Sequence, residues 1–315
     1  MASNVCCVGD LLVEIMRQNV DDPLGEPGVF VGPYPSGASG IFIDAIARLG
    51  ITARFIGTVG QDDFGELIIK RFKEDGVDIS HIKVMEDYTT GVAFVTYFSD
   101  GSRKFIYHLA RAATGQIYPE DVEPDYLSDT SYLHVVGSTM FINDQSAEAC
   151  LNAVELVKKA GGKISFDPNF RPELISAEAV KEKFQPIITK SDIIFPTHDE
   201  IRILTSKDDL KEACTRLLEI GIEIVAIKQG EKGSRIFTKN EEFYVPAFEV
   251  EEIDPTGAGD CYCAGFLAGI LKGMDLKQTA RFANAVGALA VTKKGPMEGA
   301  PTEEEVNKLL YSSSS

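Results

Sequence analysis

Asp254-Pro-Thr-Gly-Ala-Gly-Asp260 runs without interruption into Cys261-Tyr-Cys-Ala-Gly-Phe-Leu-Ala-Gly269. Three small residues, Gly257, Ala258 and Gly259, stand where a turn enters a helix, so backbone N–H groups are left unscreened and the helix start adds partial positive charge. An anion belongs there. A carboxylate on the first helical turn, Asp260, would repel that anion unless its task is to take a proton from a hydroxyl attacking the anion's phosphorus. The pairing points to phosphoryl transfer onto an alcohol. A plainer reading has Thr256 or Asp254 merely capping a buried helix. The longer context opposes it: Ala264/Ala268 and Gly265/Gly269, at i,i+4, give the helix a small-residue face that can press closely on a sheet.

Away from that helix, apolar β-branched runs alternate with helical patterns. Strands are predicted over residues 54–59, 132–137, 163–167, 192–195 and 223–228, and helices over 64–75 and 145–160. This order predicts an α/β fold, a doubly wound, mainly parallel sheet with helices on both faces. Ligands of such sheets lie beyond the carboxyl ends of the strands, where Asp167, Pro196 and Gly230 fall.

Two stretches break the alternation. Residues 92–98 and 103–109 have a period of two and flank a turn at Asp100-Gly101, which reads as a hairpin. Together with 11–35, residues 87–113 are expected to form a small, discontinuous β-sheet lid. Residues 1–10, 36–86 and 114–315 are then the α/β body that binds nucleotide and substrate. An exposed lid sheet needs covering, and a homodimer through the lids is the expected solution.

The chain has 315 residues, 44% of them hydrophobic, which suits one large α/β domain or two small ones. A formal net charge of −17 argues against nucleic acid as a partner, because such binding draws its affinity from Lys and Arg neutralising phosphates. An anionic nucleotide must instead be held locally, by N–H groups, a few cations and a metal ion. Cys6, Cys7, Cys150, Cys214, Cys261 and Cys263 lack the C-x-x-C spacing of zinc or redox sites and read as buried thiols. Val5-Cys-Cys-Val8 has no cationic segment before it and is cut short by Asp10 and Glu14, so it reads as a strand and not as a signal peptide. No run is long enough to span a membrane, and a cytoplasmic location is expected.

Asp254-Pro-Thr-Gly-Ala-Gly-Asp260 resembles the C-terminal signature of the PfkB (ribokinase-like) carbohydrate kinases. Ser36-Gly-Ala-Ser-Gly-Ile-Phe-Ile-Asp-Ala-Ile-Ala-Arg-Leu-Gly50 resembles its N-terminal counterpart. Gly57-Thr-Val-Gly-Gln-Asp-Asp-Phe-Gly65, Phe166-Asp-Pro-Asn-Phe-Arg-Pro172 and Lys228-Gln-Gly-Glu-Lys-Gly233 match in the same order, so the resemblance covers almost the whole chain. It implies a sugar as substrate, ATP and Mg2+ as cofactors, and a monovalent cation as a further candidate. Asp260 falls at the family's catalytic base, and Gly257, Ala258 and Gly259 would form the anion hole. Arg171, on a loop stiffened by Pro168 and Pro172, would contact a substrate oxygen or phosphoryl group, with Asn169 beside it. Lys228, Gly230, Gly233 and Asn284 carry over to the nucleotide, Asn284 near the adenine. Glu200 matches the family's Asn-x-x-Glu, linked to magnesium through water, while Thr197 stands in place of its asparagine.

On the sugar side Glu14 occupies the place of a usual aspartate, one methylene longer, and Ile41 that of a usual asparagine. Gly37, Ala38 and Tyr107, with His108 and Arg111 in the passage from lid to body, complete the expected substrate contacts. The departures fall in the sugar pocket and spare the phosphoryl machinery, so they bear on which sugar and not on the reaction. Residues 9–14 and 32–44 look more like the fructokinase, tagatose kinase and 2-keto-3-deoxygluconate kinase branch than the adenosine kinase branch. The expected reaction is transfer of the γ-phosphoryl group of ATP to a terminal hydroxyl of a ketohexose-like sugar or sugar acid. A nucleoside or ribose kinase is the alternative within the family, and a non-catalytic regulator on a kinase scaffold the alternative outside it. The sequence contains no G-x-x-x-x-G-K-[S/T] and no pairing of H-R-D with D-F-G, which excludes P-loop and protein kinases. A dinucleotide-dependent oxidoreductase would need G-x-G-x-x-G after its first strand, where Gly9-Asp-Leu-Leu stands.

Overall fold

The computed structural model describes residues 4–170 and 176–312. Its strands, in chain order, are β1 (Asn4–Val8), β2 (Leu12–Arg17), β3 (Phe30–Ser36), β4 (Thr52–Gly60), β5 (Asp78–Met85), β6 (Gly91–Tyr97), β7 (Arg103–His108), β8 (Tyr132–Val136), β9 (Lys163–Asp167), β10 (Ile193–Ile194), β11 (Ile224–Lys228), β12 (Ser234–Phe237) and β13 (Glu242–Val245). Nine of them form one sheet in the order β13-β12-β11-β10-β9-β8-β1-β4-β5. Every pair from β11 to β5 is parallel, and only the β11–β12 and β12–β13 pairings are antiparallel. Helices on both faces explain why β1 and β8 are buried along their whole length, as the continuous apolar runs of a parallel sheet require.

The helices expected over 64–75 and 145–160 are Asp63–Asp75 and Asp144–Lys159, each started by a capping side chain. Asp62 accepts from Gly65 N–H at 2.9 Å and also from Thr90 N–H at 2.7 Å, so one carboxylate both caps a helix and ties it to the approach to β6. Ala258–Leu271 is buried almost throughout. Its small-residue face meets a helix and not the expected sheet. A Cβ on Gly265 would stand 2.9 Å from Ala283 Cα, and one on Gly269 3.1 Å from Thr279 Cα, both on Leu276–Ala290. Glycine at these positions sets the distance between two helices, and that packing brings Asn284 up to the site.

A second sheet, in the order β3-β2-β6-β7, lies over the carboxyl ends of the large one. Leu12, Met16, Ala93, Val95 and Phe105 on its inner face form a small apolar core with Leu109 and Ile142. Among the described residues no helix is long and apolar enough to cross a membrane. All six cysteines are buried and free, and burial pushes the Cys6 and Cys150 thiols up to about 12.

Candidate active site

Residues at the ends of five parallel strands meet beneath the lid: Asp10 after β1, Ser138 after β8, Asp167 closing β9, Thr197 after β10 and Lys228 closing β11. They enclose a cavity of about 270 Å³, roofed by Leu12, Glu14, Arg103, Phe105 and Tyr107 from the lid. Asp260 lines it and is buried, 6% exposed. Asn169 donates its amide N–H to Asp260 Oδ1 at 3.2 Å. Asn169 itself sits at φ 38°, a left-handed conformation steadied by its N–H bond to Asp167 Oδ1 at 3.1 Å. The carboxylate is therefore oriented by a residue that is itself held at its backbone.

Gly257 starts the helix Ala258–Leu271 in the left-handed region, φ 80°, and no side chain caps it. Neither Thr256 nor Asp254 is that cap. Asp254 spends its oxygens on Thr256 N–H at 3.0 Å and Gly295 N–H at 2.9 Å instead. A Cβ on Gly257 would also lie 2.5 Å from Pro296 O, so backbone conformation and space both demand glycine. Gly259 is under no such constraint, because a Cβ there meets only the Lys228 side chain, Nζ at 3.5 Å and Cδ at 3.9 Å. The helix start thus carries backbone N–H donors that no side chain caps.

A second cavity, of about 840 Å³, adjoins the first. Lys228, Gly230, Pro255 and Gly259 line both, and Gly233, Phe248, Ala258 and Asn284 line the larger one alone. Lys228 Nζ is 2.5 Å from Asp167 Oδ2. Burial alone would lower its pKa, but the Asp167 carboxylate, with smaller contributions from Cys263 and Glu200, outweighs this and the pKa is raised, so the lysine stays cationic. The fixed charge and the helix start face one passage between two pockets. That arrangement suits a group handed from a ligand in one cavity to a ligand in the other.

Over residues 2–303 the sequence matches the pfkB family of carbohydrate kinases. The chain belongs to that family. It is 32% identical to probable fructokinase-4 of Arabidopsis thaliana, over 98% of this chain and 97% of the relative, and 30% identical to fructokinase-1 of Oryza sativa subsp. japonica, over 98% of each. Among solved structures, a protein from E. coli named as a candidate ribokinase II, in complex with ATP and Mg2+, superposes with a TM-score of 0.93 at 39% identity, covering 98% of this chain and 99% of that one. Fructokinase from Vibrio cholerae O395, bound to fructose, ADP and calcium, superposes with a TM-score of 0.84 at 26% identity, over 98% and 99%. This pfkB-family protein is a sugar kinase, a phosphotransferase with an alcohol group as acceptor.

Most residues singled out in the sequence of this kinase come together. Glu14, Gly37, Ala38, Ile41, Tyr107, Asn169 and Asp260 line the smaller cavity, and Glu14 accepts the Ser36 hydroxyl at 2.9 Å. Two do not. Arg103, Phe105 and Tyr107 point inward, and the period of two sends His108 to the outer face of the lid, exposed and edge-on to Phe94. Arg111 is exposed in the turn after β7 and lines neither cavity. Arg171 lies outside the described residues. Asn284 is buried, with its amide donating to Val245 O and Pro246 O at 3.0 Å each, so it anchors the wall of the larger cavity.

Glu200 turns out to be a clamp. Its two oxygens accept Phe170 N–H at 2.8 Å and Thr197 N–H at 2.7 Å, and the Thr197 hydroxyl accepts Glu200 N–H at 3.3 Å, a reciprocal capping box. Thr197, which departs from the family pattern, thereby serves the helix His198–Thr205.

Three charged residues of the cavity were not among the expected site residues, although Asp167 had been placed at the ligand edge of the sheet. Asp10 accepts Ala38 N–H at 3.1 Å, Ser39 N–H at 3.2 Å and the Thr139 hydroxyl at 2.9 Å, pinning the start of the helix Ala38–Arg48 against β1. A carboxylate two residues past the first parallel strand was a readable signal for it. Asp167 had the same signal, but only its ion pair with Lys228 reveals its role. Arg103 had none, since one arginine in a hairpin strand is unremarkable until the strand's inner face is known. Among the described residues no carboxylate forms an ion pair with it.

Proposed function

We propose that this kinase transfers the γ-phosphoryl group of ATP to a terminal hydroxyl of a ketohexose-like sugar or sugar acid. Fructose, tagatose and 2-keto-3-deoxygluconate are the acceptors to test first. The observation that carries the reading is the position of Asp260, on the first turn of a helix whose uncapped glycine start opens on both cavities. ATP occupies the larger cavity, its adenine toward Asn284 and its phosphates toward Gly230, Gly259 and Lys228. The acceptor lies under the lid.

Asp260, oriented by Asn169, takes the proton of the acceptor hydroxyl as the hydroxyl oxygen bonds to the γ-phosphorus. The bond from that phosphorus to the bridging oxygen breaks, and ADP leaves with the electron pair. The N–H groups after Gly257 stabilise the charge on the group in transit. Mg2+ supplies further neutralisation of the phosphates. Glu200, whose two oxygens each keep acceptor capacity beyond the N–H group they accept, would hold such an ion through water. The ATP and Mg2+ in the E. coli relative and the fructose and ADP in the Vibrio cholerae fructokinase support the same pairing of ligands.

A coupled ADP-release assay over fructose, tagatose, 2-keto-3-deoxygluconate, ribose and adenosine tests class and substrate together. Activity on one of the first three is expected, and preference for ribose or adenosine would overturn the acceptor assignment. Glu14 is proposed to grip sugar hydroxyls. Charge-assisted hydrogen bonds are worth about 1.5–3 kcal/mol, so Glu14→Ala should raise sugar KM roughly tenfold to a hundredfold while ATP KM stays nearly fixed. A uniform loss for every sugar with a lowered melting point would show Glu14 to be structural.

A further inference from the structure

Tyr97 stands at the outer end of lid strand β6, paired with Arg103 of β7. Its hydroxyl reaches the turn that precedes Gly257, donating to Asp254 Oδ1 at 3.0 Å and sharing a hydrogen bond with the Thr256 hydroxyl. Asp254 takes Thr256 N–H on the same oxygen at 3.0 Å, and Gly295 N–H on the other at 2.9 Å. Donor directions follow from chemistry. A carboxylate only accepts, so the single Tyr97 proton goes to Asp254, and the Thr256 proton must come back to Tyr97. Burial and the Asp254 charge raise the Tyr97 pKa, which keeps that proton in place.

Thr256 and Asp254 are buried, so these bonds are made out of competition with bulk water. Gly257, the next residue, is in the left-handed region, and the space a Cβ would take there is filled by Pro296 O, on the segment that Asp254 holds through Gly295. Thr256 is therefore gripped from the lid side by Tyr97 and from the body side by Asp254, one covalent link before the N–H donors of the helix start. A shift of Thr256 passes directly to those donors. Small displacements there matter, because donors stabilise a phosphoryl group in transit only where its charge develops.

We infer that Tyr97 is a positioning residue for phosphoryl transfer: through Thr256 and Asp254, the lid holds the glycine start of the helix Ala258–Leu271 in its transfer geometry. The inference rests on the proposed role of that helix start as the anion site. It adds a residue of the lid that lines neither cavity and joins the two halves of the site.

The test is kinetic. Tyr97→Phe should lower kcat about tenfold, the equivalent of one hydrogen bond, while ATP KM and the melting point stay close to those of the parent. Thr256→Val should cost a similar factor, Thr256→Ser should restore kcat to within about twofold, and the double variant Tyr97→Phe/Thr256→Val should lose no more than the larger single loss. An unchanged kcat in Tyr97→Phe, losses that multiply, or a Thr256→Ser variant as impaired as Thr256→Val would each overturn the inference. Should Tyr97→Phe fail to fold, the two Thr256 variants decide alone. Asp260→Asn, assayed alongside, separates the levels: an active Asp260→Asn enzyme rejects the site reading itself, whereas an inactive one with a silent Tyr97→Phe rejects only the link.

Discussion

Asp260→Asn is expected to lose about a hundredfold to ten-thousandfold in kcat, the range that general acid–base catalysis contributes, with ATP and sugar affinities nearly unchanged. The amide preserves the shape of the side chain, and its carbonyl oxygen still accepts the Asn169 N–H that now reaches Asp260 Oδ1. Its NH2 group then faces the acceptor hydroxyl and takes no proton. The loss should therefore appear in single-turnover chemistry and not in calorimetric binding of either ligand. A kcat within tenfold of the parent, about 1.4 kcal/mol of barrier, would show that Asp260 is not the base.

Lys228→Met is expected to be the most destabilising of the conservative site variants. Asp167 is only 1% exposed at its side chain, and the Lys228 ammonium at 2.5 Å is its charge partner. Removing the lysine leaves that carboxylate with the Cys263 thiol at 3.5 Å and the Asn169 N–H at 3.1 Å, which replace none of the lost charge. Breaking a buried pair from one side costs about 3–5 kcal/mol, and the partial exposure of Lys228 places this case at the lower end. Asp167→Asn in the Lys228→Met background removes the stranded charge and should recover more than half of the loss in a urea titration. A single variant melting with the parent would refute the pairing.

The pH dependence follows from the sign of the shift. The folded pKa of Lys228 is raised, so its contribution is fully present below the ordinary lysine value of about 10.4 and is lost only as pH rises through the folded value. The difference between parent and the Lys228→Met/Asp167→Asn variant, which has no stranded carboxylate, should be flat from about pH 6 to pH 9.

Much of the kinase was legible one segment at a time, because local conformation is written in local pattern. Apolar β-branched runs alternating with helical patterns announced a parallel sheet with helices on both faces, and Asp254–Asp260 announced a glycine-started helix with a carboxylate on its first turn. Side-chain direction was not legible. His108 and Tyr107 are neighbours in a strand of period two, and only the pairing of β7 with β6 decided that Tyr107 and Arg103 enter the cavity while His108 leaves it. The small-residue face of Ala258–Leu271 was plain, but whether it met a sheet or a helix depended on where Leu276–Ala290 came to lie.

The partners that make the site work are remote in the chain: Lys228 and Asp167 are 61 residues apart, Asp260 and Asn169 91, Tyr97 and Asp254 157. Periodicity reaches only the next turn or strand. A hydrogen bond or ion pair between distant residues forms because crossovers bring strand ends to one edge and burial there leaves polar groups only one another, so tertiary structure alone decides which carboxylate is clamped, which is charge-paired and which lines the cavity beside the helix start.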